Sequence, residues 1–128
     1  MAAITVNDVL VTAMGFLPDR QSDNPELSDF IVGWVNLLLQ ECLPTENSIR
    51  HAKGLPLLDA APMVSSVTDV IDYQDEITRV ALPYGVAYYV YIDDDNDYRS
   101  QDMRGRFVNA LDEAQKAWLD ESVVDVYA

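Results

Sequence analysis

The chain has one cysteine, Cys42, and one histidine, His51, among its 128 residues. A single thiol permits no internal disulfide. Basic residues are scarce as well: eight Lys and Arg stand against 22 Asp and Glu, a net charge of −14. Nucleic-acid binders replace phosphate counterions with Lys and Arg, so this balance argues against independent DNA or RNA binding. Gly54, Gly85 and Gly105 are isolated and form no phosphate-cradling loop. No basic stretch followed by a long apolar one opens the chain, so no signal peptide is expected. The longest mostly apolar run, 80–92, is too short to span a bilayer and holds Pro83 and Gly85. A soluble protein made in a reducing cytoplasm is the expectation.

What is present describes a folded domain. Apolar residues make up 49% of the chain, which rules out disorder despite the charge. The length suits a single domain, 1–128, with a modest core. Thr5, with Asp8 three residues on, has capping-box spacing and predicts a short helix over 6–15. Residues 18–24 read as a loop. Asn24 as cap and Pro25 in the first turn then open the clearest helix, carrying Leu27, Ile31, Trp34, Leu38 and Cys42 on one stripe. Pro44 is expected to end it. Thr45 can cap one more short turn and Gly54 can close that turn.

Residues 55–75 lose the helical period, because Pro56 and Pro62 exclude a continuous helix and β-branched residues alternate loosely. A long loop or arm with short extended pieces is expected, functional or disordered. A third helix is predicted over 76–92, with Pro83 kinking it or marking its start near Leu82. It is apolar on nearly every side, so its own fold or a neighbouring subunit must surround it. A fourth helix over 97–119 carries Met103, Phe107, Ala110, Leu111, Ala114 and Trp118 on one stripe. Asp95–Arg99, Asp102–Arg106 and Asp112–Lys116 each place an acid four residues before a base, worth roughly 0.2–0.5 kcal/mol per pair. The fold class is mostly α: a small bundle of about four helices with an extended arm and an extended tail over 120–128.

Candidate sites are few. Asp93, Asp95 and Asp97 match the first ligand positions of an EF-hand loop. Tyr98 stands where that loop needs glycine and Arg104 where it needs a bidentate glutamate, so no metal site is expected. A solvated turn explains Asp95, Asn96 and Asp97 as cap and first turn. It leaves Asp93 and Asp94 unexplained at the acid-averse end of the preceding helix. Catalysis finds no nucleophile–base arrangement: His51 reads as exposed, Cys42 as a core residue, and Ser65 and Ser66 lack a base motif. No enzyme activity and no cofactor are expected. The tyrosines at 84, 88, 89 and 91 suit core packing or a subunit interface. The closing Val123, Val124, Asp125, Val126 and Tyr127 suit a frayed end or a hook that completes a partner.

The order of features resembles the small head–tail connector proteins (adaptor or head-completion proteins) of long-tailed bacteriophages. The resemblance spans "NPELSDFIVGWVNLLLQECL", "ENSIRHAKGLPLLDAAPMVSSVTDVIDYQDEI", "RFVNALDEAQKAW" and the closing "VVDVY". Its most specific piece is "LPYGVAYYVYIDDDND". It implies a virion protein of the neck, assembled in the host cytoplasm into a ring, usually a dodecamer, beneath the portal protein. Such a ring extends the DNA channel without binding DNA specifically and offers a surface to the stopper or tail-completion protein. Carried onto this chain, the candidate portal or subunit contacts are Val64, Val67, Val70 and Ile71 in the arm and Val123, Val124, Asp125, Val126 and Tyr127 in the tail. Asp93, Asp94, Asp95 and Asp97 are the candidate acidic channel or subunit surface. The competing classes are a small acidic inhibitor that mimics DNA, or another neck protein such as a stopper or tail terminator. Acids gathered in turns and i,i+4 pairs count against a mimic, and helical stripes count against the β-rich neck proteins.

Overall fold

Thr5 opens the first helix as expected. Its Oγ1 accepts from the Asp8 N–H at 3.1 Å, and the Asp8 carboxylate accepts from the Thr5 N–H at 3.0 Å. This reciprocal cap starts α1 (Val6–Met14), which buries Val6, Val9, Leu10 and Ala13 at helical spacing. The structure is a computed structural model that describes residues 3–17 and 25–127, with side chains described over 3–17 and 30–117. The expected loop over 18–24 lies outside the described residues.

α2 (Pro25–Lys53) is one continuous helix, where the sequence predicts a stop at Pro44. The correction has a physical reason. Pro44 cannot donate to the carbonyl of Gln40, but both residues are exposed, so that carbonyl can be hydrated. Beyond the proline, Glu46, Ile49 and Arg50 are buried, and their packing holds the helix together across the missing bond. Gly54 then closes it with φ of +75°. The Gly54 N–H donates to the His51 carbonyl and the Leu55 N–H to that of Arg50, a Schellman cap.

The third helical segment begins with a π-helical turn (Ile77–Ala81) and continues as α3 (Leu82–Asp93). The Leu82 N–H reaches back five residues to the Ile77 carbonyl. That wider turn gives Pro83 room, because its ring would otherwise press on the carbonyl four residues before it. α3 is the central helix, with Leu82, Val86, Ala87 and Val90 fully buried, and it packs against α1, α2 and α4. Its apolar circumference is therefore covered largely by its own fold. Gly85 makes the tightest approach: a Cβ there would lie 2.6 and 2.9 Å from the two Leu38 methyls and 3.2 Å from the Phe107 ring.

α4 (Asp97–Tyr127) returns along α3 after a short turn and buries Met103, Phe107 and Ala110, with Leu111 and Ala114 partly covered. Its backbone stays helical through Tyr127, so the residues expected as an extended tail continue the helix. No proline or glycine interrupts 118–127, and β-branched residues weaken a helix by only about 0.5 kcal/mol each. The chain is thus mostly α, four helices with a single antiparallel bridge, Thr5 to Val70, and no strand among the described residues.

Candidate partner-binding surfaces

The arm at 55–75 is strapped onto the bundle by polar side chains of α2. The Asn47 amide accepts from the Leu58 N–H at 2.9 Å and donates to the Leu58 carbonyl at 3.0 Å. Asn36 does the same for Val64, at 2.8 and 2.9 Å. Eleven residues of helix separate the asparagines, about 17 Å of rise, and the six-residue step from Leu58 to Val64 spans roughly 20 Å when extended. The strap therefore lies along α2 against its direction. It then crosses to the start of α1, where Val6 and Asn7 donate to the carbonyls of Asp69 and Val67, and Ile71 donates to that of Ile4.

The return of the strap is held by a buried ion pair. Glu46 is fully buried; its carboxylate accepts from Arg50 Nε at 2.6 Å and from the Gln74 N–H at 2.9 Å. Arg50 also donates to the carbonyls of Pro56 at 3.2 Å and Asp72 at 2.9 Å. The Tyr73 hydroxyl donates to the Leu39 carbonyl at 2.6 Å, and burial raises its pKa. At the strap's turn, the Asp69 carboxylate accepts from the Ser65 N–H and hydroxyl and from the Ser66 N–H, and those bonds hold its pKa low. None of Asn36, Glu46, Asn47 and Arg50 was singled out from sequence. The available signal was the pair Glu46–Arg50, an acid four residues before a base.

The candidate contact residues of the arm divide accordingly. Val64 and Ile71 face inward and belong to the core, Val67 is partly buried against it, and Val70 is half exposed. The side chains of Val123, Val124, Asp125, Val126 and Tyr127 lie outside the described residues. Leu57 and Met63 present further exposed apolar surface on the strap.

Asp93, Asp94, Asp95 and Asp97 gather in the exposed turn between α3 and α4. Asp95 takes φ of +56°, the left-handed position that ends a helix. Its N–H donates to the Ile92 carbonyl at 3.0 Å and that of Asn96 to the Tyr91 carbonyl at 2.9 Å. Asn96 then caps α4 by accepting from the Arg99 N–H at 3.1 Å. Behind the turn, the Tyr91 hydroxyl donates to the Phe16 carbonyl and accepts from Arg99. Among the described residues, no three acid, histidine or cysteine side chains converge to hold a metal ion.

Aromatic residues line the seam where α2, α3 and α4 meet. Phe30 stacks on Trp34 at 5.8 Å, Trp34 on Tyr89 at 6.0 Å, and Tyr89 meets Tyr88 edge-on at 5.1 Å. Arg104 closes the row, its guanidinium 5.4 Å from the Tyr88 ring and paired with Glu41. The bond to Glu41 raises the Arg104 pKa, and burial raises that of Tyr89. Cys42, inward of this row, has its thiol pushed up to about 12 by burial and then by Glu41 and Glu46. His51 is exposed.

Charge is unevenly spread over these surfaces. Residues 54–96, which hold the strap and the acidic turn, carry eight acids and one base. Residues 30–53 carry two acids and two bases, and 97–117 four of each. Asp102–Arg106 at 3.3 Å and Asp112–Lys116 at 3.1 Å form as the spacing predicts. No helix among the described residues is long and apolar enough to cross a membrane. The chain matches no known family model, no curated protein and no solved structure.

Proposed function

We propose that the chain is a head–tail connector subunit of a long-tailed bacteriophage. It forms a ring in the virion neck, docks beneath the portal protein, extends the DNA channel and gives the stopper or tail an attachment surface. The observation that carries this reading is the segregation of charge. Half of the net −14 lies in residues 54–96, which include the strap and the exposed turn, while α2 and α4 carry net charges of only −2 and −3. A wall that passes DNA must not hold it, and like charge between wall and phosphate lowers binding. Asp93, Asp94, Asp95 and Asp97 are then the acidic surface of the channel or of the subunit boundary. Val70, exposed on the strap, and the end of α4 are the elements offered to the portal or to neighbours.

The test is co-elution of the purified chain with the portal ring encoded beside it. A stable complex that leaves free duplex DNA unbound supports the connector. No complex with the portal, together with tight binding to a DNA-processing enzyme, would give the chain to the DNA-mimic class instead.

A further inference from the structure

We infer that residues 55–63 form a flap over α2 that opens while the bundle and the rest of the strap stay closed. The two halves of the strap are held differently. No residue of 55–63 is buried, and Leu57 and Met63 are 55 and 81% exposed. Leu58 and Ala61 are only partly covered. The Leu55 N–H completes the cap of α2. Past it, this half is bonded to α2 by the two Asn47–Leu58 bonds and by Arg50 on the Pro56 carbonyl.

Residues 64–75 are fastened far more firmly. They bury Val64, Ile71 and Tyr73 in the core, and they share main-chain bonds with Ile4, Val6 and Asn7. Asn36, Glu46 and Arg50 hold their main chain, and the Tyr73 hydroxyl reaches the Leu39 carbonyl. A segment with few buried apolar contacts opens at a smaller cost than the core, so the boundary falls between Met63 and Val64.

The flap has defined edges. Gly54, at φ of +75°, turns the chain out of α2, and Asn36 grips both main-chain groups of Val64 at the far end. Pro56 and Pro62 stand one residue inside each edge. Their fixed φ narrows what the open segment can sample, so closing costs less chain entropy. What the flap uncovers is set in advance. Arg50 keeps its bonds to Glu46 and to the Asp72 carbonyl when the Pro56 bond breaks, so its guanidinium stays in place. Asn47, three residues earlier on the same face, is left with an amide that pairs with both main-chain groups of one residue. This goes beyond the connector reading and is measured on the chain alone, so its failure leaves that reading untouched.

Native-state hydrogen exchange of the full chain tests it on three bonded amides, those of Leu58, Val64 and Ile71. Corrected for intrinsic rates, Leu58 should exchange at least about tenfold faster than the other two. Its rate should barely respond to low guanidinium, because a flap exposes little surface. Asn47→Ala should speed Leu58 further, by about tenfold, and leave Val64 and Ile71 as they were. Within the strap, thermolysin should cut 57–63 first and leave the nicked chain helical. Equal protection at the three amides in the parent chain, Val64 and Ile71 loosening with Leu58 in Asn47→Ala, or a first strap cut within 64–75 would overturn the inference.

Discussion

Gly85 is the residue at which the core has no slack. Gly85→Ala gains about 1 kcal/mol of helix propensity but forces the fully buried Leu38 and Phe107 aside, an overpacking loss of roughly 1–3 kcal/mol. Thermal unfolding should therefore show a lower Tm for Gly85→Ala and a higher one for Gly33→Ala, where space is open; the opposite order would contradict this packing. Cys42 offers a test by pH. Its ionisation is raised from 9.0 to about 12 in the folded chain, so folding favours the protonated thiol. The stability this contributes is complete below about pH 9 and is lost as the pH rises toward 12. At pH 8 the native thiol should resist alkylation and react only on unfolding; rapid labelling of the native chain would show that Cys42 is not enclosed. The enclosure of Cys42 was legible from the leucines around it. The burial of Glu46 and Arg50 was not, because periodicity assigns polar residues to the outer face and cannot see the strap that covers them.

The strap is the element whose order depends most on a few side chains. Asn36→Ala should lower stability by about 2 kcal/mol, since the N–H and carbonyl of Val64 both lose their partner. Hydrogen exchange should show the Val64 amide deprotected while α2 stays protected; an unchanged Val64 amide would remove Asn36 from the clamp. In the turn between α3 and α4, Asp95 holds a left-handed φ. Asp95→Gly relieves roughly 1–2 kcal/mol of backbone strain against about 0.5–1 kcal/mol of added chain entropy, so a small rise in Tm is expected. The elements themselves were mostly legible: the Thr5 cap, the Gly54 stop and the Leu82 start all rest on local chemistry. The errors came where distant contacts or a missing breaker decide. Pro44 is carried by the packing of Ile49 and its neighbours, and α4 runs on because nothing in 118–127 stops it. The arm's path was invisible because it is written in Asn36 and Asn47, two ordinary polar residues of another element.

At the scale of the molecule, the acidity is concentrated: residues 54–96, a third of the chain, carry half of its net charge. That concentration supports a subunit that passes DNA without holding it. Replacing Asp93, Asp94, Asp95 and Asp97 together by Asn should leave the fold intact and raise retention of duplex DNA at low salt. Unchanged retention would take the turn out of the channel wall. The sequence made the acidity and its concentration plain, and the structure adds that Asp93, Asp94, Asp95 and Asp97 all stand exposed at one turn. The most direct measurement is native mass spectrometry of the chain mixed with the portal ring encoded beside it. The connector reading predicts a full ring of copies added to each portal ring. A well-folded chain that leaves the portal mass unchanged would contradict it.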